Sequence, residues 1–184
     1  PLSCTPQVIR RNLQTRCTAL DVTYDPAEDE ARAQQALRHA KALLGDTEIA
    51  IDYTATPAPM SLARCLIEHG LRVSRIYADS IAAGDLDDFR WLQEHAPDLS
   101  LYATVEVKLR VLPRRTQRPM LAIGQKAAYF TGTRHFVNIV EGGGMYGFDG
   151  ICRLCARIEE AFLTARDPRN YIQQKGLGLS LIHI

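Results

Sequence analysis

The fold is decided by residues 49–77, which read IAIDYTATPAPMSLARCLIEHGLRVSRIY. Ile49–Tyr53 is the mostly apolar run of a buried strand, and a turn rich in Thr and Pro follows it. Pro59 is compatible with the first turn of a helix, and Gly70 with the residue just after its end. Leu71–Tyr77 mostly alternates apolar and polar residues, as a strand does. Strand, helix and strand over about 30 residues predict a right-handed βαβ unit and therefore parallel pairing.

The same alternation continues towards the C-terminus. Helices are predicted over Asp85–His95 and after Asp149, which is placed to cap the first turn, and a short helix over Val105–Leu112. The predicted strands are Leu99–Thr104, Pro119–Ile123 and Phe136–Val140. Together these elements predict an α/β fold with an open, mostly parallel sheet and helices on both faces, as in Rossmann-like domains.

The two ends of the chain differ from this pattern. Residues 1–25 show no clear period, whereas helical spacing of apolar residues begins after Pro26 and ends at Gly45. We therefore expect residues 1–44 to be the tail of a preceding domain and a connecting helix, and residues 45–170 to be the α/β domain. Residues 171–184 have neither an amphipathic pattern nor a capping signal, so we expect an unstructured tail that is partly non-native.

The charge and the apolar content of the sequence limit the classes of binding partner that we expect. The 184 residues include 22 basic and 21 acidic side chains, which leave a formal charge of +1. This balance predicts neither nucleic acid nor an anionic membrane as partner. No apolar run reaches the roughly 18–20 residues that cross a bilayer. The dense basic stretch Arg110–Arg118 is interpreted as a solvated loop, with a docking patch for an acidic partner as the alternative.

The five cysteines favour a reducing compartment. Their number is odd and no secretory signal accompanies them, so we expect reduced thiols and a cytoplasmic protein. Cys152 and Cys155 form a CxxC, but a single pair is only half of a zinc or cluster site. On one helix, these positions favour small core residues. The sequence therefore predicts no metal ligands.

Ligands of doubly wound sheets bind outside the carboxyl ends of the strands. The connections Thr54–Pro59 and Ala78–Gly84 lack the glycine patterns of dinucleotide and nucleoside triphosphate sites. The connection from Gly124 to Gly150 differs, because residues 142–144 are all glycine and precede the last helix. These glycines either let a ligand approach closely or serve shape alone. The free N–H groups at the start of that helix would attract an anion.

The segment ahead of the last helix, Tyr146-Gly147-Phe148-Asp149-Gly150, carries a family resemblance. Ala96–Leu99 precedes a strand, and residues 119–133 lead from the next strand towards the glycines. In this order, the segments resemble the nitrogenase component 1 family, over roughly Gly45–Arg169. In the catalytic subunit of that family, a His-Gly-Phe-Asp-Gly segment lies at the start of the corresponding helix.

The resemblance implies the C-terminal Rossmann-like domain of a three-domain oxidoreductase subunit. It implies pairing with a homologous component 1 subunit and electron delivery by an ATP-dependent iron–sulfur reductase. An iron–sulfur cluster is implied as well, with its cysteine ligands upstream of this fragment. The fragment alone is expected to be inactive, because its site would form where several domains and two subunits meet.

Tyr146 stands where the family has a cofactor-ligating histidine. A phenol must lose its proton to bind a metal, whereas a neutral imidazole binds directly. The sequence therefore favours a divergent reductase or a non-catalytic cofactor-assembly scaffold over a nitrogen-fixing enzyme. The third hypothesis is a simple ligand-binding module. In it, the segment around residues 142–144 (the glycine segment) binds a small anion. The residues that we predict to contact a ligand are Gly124, Gln125, Lys126, Tyr146 and Gly147, with Lys126 supplying positive charge.

Overall fold

The computed structural model describes residues 5–110, 118–169 and 171. The helices are α1 (Pro6–Ala19), α2 (Ala27–Leu44), α3 (Pro59–Glu68), α4 (Leu86–His95), α5 (Gln125–Thr131) and α6 (Gly147–Leu163). The strands are β1 (Glu48–Asp52), β2 (Arg72–Tyr77), β3 (Ser100–Tyr102), β4 (Met120–Ile123) and β5 (Phe136–Val137). The predictions for most of Arg110–Arg118 and of the 171–184 tail lie outside the described residues.

The strands form one parallel sheet in the order β3-β2-β1-β4-β5. β1 is central, and its residues from Ile49 to Asp52 are buried, because a parallel strand covered on both faces is shielded along its whole length. From β1 the chain first adds β2 and β3 on one side, and then β4 and β5 on the other side. The predicted open, mostly parallel α/β sheet is confirmed.

Helices cover both faces of the sheet, and alternate residues of β1 belong to different faces. Ile49 and Ile51 join the core formed with α2, α3 and α6, in which Ile158 of α6 is fully buried. Ala50 points the other way, into a smaller core with Ala127 and Ala128 of α5. α5 and α6 therefore lie on opposite faces, although both follow strands at the same edge of the sheet.

Residues Pro6–Ala19 form helix α1, which the sequence did not predict. Within α1 only Pro6 and Ile9 are buried, so the helix has no continuous apolar stripe that periodicity could detect. Ile9 joins the same core as Ala33 and Leu37 of α2. The domain division between residues 44 and 45 stays a prediction.

Three local predictions also need correction. Tyr146, not Asp149, occupies the N-cap position of α6, and Asp149 lies inside the first turn, where it pairs with Arg153 at 3.0 Å. The short helix predicted over Val105–Leu112 is a 3-10 turn at Val107–Arg110 within the described residues. The connection predicted after Gly124 is not wholly a loop, because it begins with α5, whose seven residues are too few for a periodic signal.

Candidate functional site

The candidate site lies at the carboxyl ends of β1 and β4. The turn after β1 is tied to the glycine segment, because the N–H of Glu141 donates to the carbonyl of Thr54 and that of Gly142 to Ala55, both at 2.7 Å. These bonds hold residues 141–146 above the strand ends, although each donor lies 87 residues after its acceptor in the sequence. The sheet edge predicted to bind ligands is therefore built from both connections.

The glycine segment is a compact turn rather than an open cradle. Gly142, Gly143 and Gly144 all have positive φ, which confirms that this backbone needs the freedom of glycine. The segment uses its N–H groups internally, since Gly143 donates to Val140 at 3.1 Å and Met145 to Gly142 at 2.8 Å. Few of its donors are therefore left for an anion.

Gly150 lets this turn pack directly on α6. A Cβ at position 150 would lie 2.3 Å from the carbonyl carbon of Met145, so any side chain there would push the turn off the helix. The signature residue Gly150 thus serves close backbone packing inside the first turns of α6.

Between this turn and the sheet lies an apolar pocket. Its apolar walls come from Ala55, Leu62, Ile123, Ile139, Ile151 and Leu154. Tyr146 and Gly147 line it at the start of α6, and Thr56 adds a polar side chain. An apolar lining of this kind suits a ligand with an apolar surface better than a small free anion.

Tyr146 lies across the glycine segment. Its hydroxyl donates to the carbonyl of Glu141 at 3.3 Å, and a Cβ at Gly142 would approach the same hydroxyl at 2.9 Å. The residue is 48% exposed, so one side of the ring contacts the turn while the rest is accessible. Tyr146 therefore packs on the glycine turn and borders the apolar pocket at the start of α6.

Asp52 joins the turn after β1 to the start of α5 by hydrogen bonds. Sequence reasoning did not identify this residue. The side chain is fully buried at the end of β1, with Oδ1 accepting from the N–H and the hydroxyl of Thr54. Oδ2 accepts from the N–H of Ala127 at 2.7 Å, so Asp52 caps α5 from a distance in sequence. An acidic residue directly after the apolar run Ile49–Ile51 was the available signal.

The structure divides the five predicted contact residues into two groups. Tyr146 and Gly147 line the apolar pocket, whereas Gly124, Gln125 and Lys126 lie at the start of α5 and are not part of its lining. The side-chain amide of Gln125 donates to Asn138 Oδ1 at 2.7 Å. The ammonium of Lys126 donates to the hydroxyl of Tyr53.

The described residues do not fit a metal or an iron–sulfur cluster. Across residues 5–110, 118–169 and 171, no group of three or more His, Cys, Asp or Glu side chains could hold a metal ion. Burial raises the pKa of Cys155 to about 12 and also raises that of Cys152. Such thiols stay protonated near neutral pH and are poor ligands. His135 bonds through Nδ1 to the carbonyl of Ala161 at 3.0 Å.

Asp52 should give the stability of the fold a pH dependence. Burial raises its pKa above the ordinary 3.8, against the opposing hydrogen bonds from Thr54 and Ala127. The folded protein then keeps the proton to a higher pH than the unfolded chain does. The contribution of Asp52 is therefore full below pH 3.8 and decreases as the pH rises through its folded-state pKa.

Urea unfolding of the wild type and of Asp52→Asn, which cannot titrate, checks this expectation. We expect the wild type's advantage over the variant to shrink from about pH 4 to about pH 7. Asp85, whose pKa burial also raises, is present in both proteins and cancels in the difference. An advantage that grew with pH would mean that Asp52 is ionised more readily in the folded state.

Comparison with known proteins supports the fold. The chain is similar to the solved structure of nitrogenase Cp1 at pH 6.5, with a TM-score of 0.63 and 13% sequence identity. The alignment covers 100% of this chain and 42% of the nitrogenase chain. No family model matches the sequence, and no curated protein matches it. None of the described helices is both long and apolar enough to cross a membrane. The chain thus has a nitrogenase-like fold and spans less than half of that relative's length.

Proposed function

We propose that the chain is part of a nitrogenase component 1-like oxidoreductase subunit, and that its apolar pocket forms one wall of the chamber for cofactor or substrate. The observation that carries the proposal is the position of Tyr146. It occupies the N-cap position of α6 and lines the pocket at the carboxyl ends of β1 and β4, the edge where open α/β sheets bind ligands.

The cofactor and partners follow from the same resemblance. The subunit would pair with a homologous component 1 subunit and take electrons from an ATP-dependent reductase through an iron–sulfur cluster. Because the described residues supply no metal ligands, the cluster's cysteines would come from elsewhere in the subunit. This chain's own contribution is to shape the chamber and exclude water with apolar side chains.

A non-catalytic assembly scaffold of the same family is the second candidate. Tyr146 favours it, because a phenol at the family's histidine position would let a bound precursor leave more easily than a metal–imidazole bond. The simple anion-binding module has less support. The N–H groups of Glu141, Gly142, Gly143 and Met145 are donated within the protein, and Asp52 occupies the start of α5.

The full-length protein that contains this chain tests the proposal. It should be purified anaerobically with its homologous subunit, and analysed for iron and for a paramagnetic signal after reduction. We expect both, together with ATP-dependent oxidation of the reductase. Iron and a signal without that oxidation, but with transfer of the cluster to an acceptor protein, would select the scaffold. Absence of both iron and signal would contradict each cluster-based function.

Tyr146→Ala should lower the activity of the full-length protein much more than it lowers the stability of the fold. Because the side chain is about half exposed, we expect the free energy of unfolding to fall by less than about 1 kcal/mol. Loss of the ring opens the pocket to water, so ATP-dependent activity or cluster transfer by the full-length protein should fall by about 10-fold or more. Leu163→Ala, at an exposed site on the same helix, is the control. If Tyr146→Ala and Leu163→Ala were equally active, Tyr146 would not be part of the functional site.

A further inference from the structure

We propose that Arg153 is a positioning residue, which holds the glycine segment closed over the apolar pocket and thereby limits the access of a ligand. Nη2 of Arg153, on α6, donates to the carbonyl of Gly144 at 2.9 Å. Nε of the same side chain pairs with Oδ2 of Asp149 at 3.0 Å. One guanidinium group therefore joins the segment to the helix that follows it. The inference rests on the proposed function, in which residues 141–146 close the chamber.

The glycine segment is held in place against backbone strain. Glu141 has φ +52°, in the left-handed region that side chains disfavour, and three glycines of positive φ follow it. At the front of the segment, the N–H groups of Glu141 and Gly142 donate to the turn after β1. A strained residue keeps its conformation only where its surroundings fix the backbone. The contacts at both ends of the segment therefore decide whether it stays closed.

Arg153 supplies the contact at the rear of the segment. Among the residues that the structure describes, no other group donates a hydrogen bond to the carbonyl of Gly144. Tyr146, which lines the pocket, lies only two residues further along the chain. Because a guanidinium group has several donors in one plane, it can bond Asp149 and Gly144 at the same time. The position of the Tyr146 backbone thus depends on Arg153.

The pocket beneath the segment is small in this closed conformation. Its cavity has a volume of about 40 Å³, whereas an apolar cavity of about 150 Å³ in another protein holds benzene. The segment packs on one wall, since a Cβ at Gly143 would lie 3.1 Å from Cγ2 of Ile139. Outward movement of the segment would therefore widen the pocket. A ligand larger than the cavity requires that movement, so the contacts of Arg153 oppose its binding.

Benzene is the probe for the test, and Arg153→Leu is the variant that removes both contacts of the guanidinium group. Benzene is titrated into the 184-residue chain, and the methyl resonances of Ile139 report binding. We expect Arg153→Leu to bind benzene about 3- to 10-fold more tightly than the wild type, because the segment opens more readily. Arg157→Leu, at another exposed position of α6, is the matched control and should bind as the wild type does.

Amide hydrogen exchange shows where the change occurs. The N–H groups of Glu141 and Gly142 should exchange about 3- to 10-fold faster in Arg153→Leu, whereas that of Ile158, further along α6, should be unchanged. Asp149→Asn loosens the guanidinium group without removing it. This second variant should shift benzene affinity and exchange in the same direction, by a smaller factor. A circular dichroism melt of each variant establishes that it is folded.

Benzene affinity that is equal in Arg153→Leu and Arg157→Leu, or weaker in Arg153→Leu, would overturn the proposal. Exchange that is faster throughout α6 would overturn it as well, because Arg153 would then stabilise only the helix. The test uses neither iron nor a partner subunit. Its failure would therefore leave the proposed function standing, and absence of iron from the full-length protein would contradict that function without changing the benzene result.

Discussion

Gly124→Ala is expected to destabilise the chain by roughly 3–5 kcal/mol, a large part of the 5–15 kcal/mol that holds a typical domain together. Two causes add. Gly124 has φ +109° and ψ 156°, a region that is essentially restricted to glycine. A Cβ there would also lie 2.2 Å from Oδ2 of Asp52, which is fully buried and cannot move aside. Urea unfolding followed by circular dichroism measures the loss.

Two other glycines separate the two causes. Gly144 has φ +73° but open space around its Cβ position, so Gly144→Ala should cost about 1–2 kcal/mol from backbone strain alone. Gly84 has neither strain nor a neighbour within 4 Å, and Gly84→Ala should stay within about 0.5 kcal/mol of the wild type. If Gly124→Ala cost no more than Gly144→Ala, the close approach of Gly124 to Asp52 would be wrong.

Asp52→Ala should have the second large effect, a loss of about 3 kcal/mol or more in the free energy of unfolding. The change leaves the N–H and hydroxyl of Thr54 and the N–H of Ala127 without their acceptor. It also removes the cap of α5, whose seven residues have little stability of their own. Hydrogen exchange of the α5 amides should therefore be faster in Asp52→Ala than in the wild type.

Asp79→Ala is the matched control for Asp52→Ala. Asp79 also follows a strand and accepts from the N–H of Val105, but it is exposed, so its loss should cost about 1 kcal/mol or less. The double variant Asp52→Ala with Gly124→Ala gives a sharper check. Removing the carboxylate removes the clash, so the two costs should sum to more than the cost of the double variant. Strict additivity would contradict the close approach of these two residues.

Much of the sheet could be predicted because its signals are local. Residues 49–77 contain the strand periods, with Pro59 beginning and Gly70 ending the helix between them, and the structure has β1, α3 and β2 there. The positive φ of residues 142–144 fits the run of three glycines in the sequence, although the sequence alone leaves open whether they serve shape or close approach of a ligand. Each of these signals lies within a few residues of the element that it specifies.

The parts that could not be predicted depend on distant contacts or on short elements. Asp52 caps a helix 75 residues later in the chain, and no local pattern announces such a bond. Because α5 is too short to give a periodic signal, the sequence suggests Lys126 beside Tyr146, whereas Lys126 contacts Tyr53 and does not line the pocket of Tyr146. The partner of Lys126 is Tyr53, 73 residues earlier, which likewise has no sequence signal.

We propose above that residues 141–146, which end in Tyr146, close a ligand chamber at the carboxyl edge of a nitrogenase-like sheet. A crystal structure of the full-length protein with its homologous subunit and bound cofactor or substrate tests it most directly. The account predicts that the bound group touches the Tyr146 ring over the carboxyl ends of β1 and β4. A bound group at the amino edge of the sheet, with Tyr146 open to solvent, would contradict it.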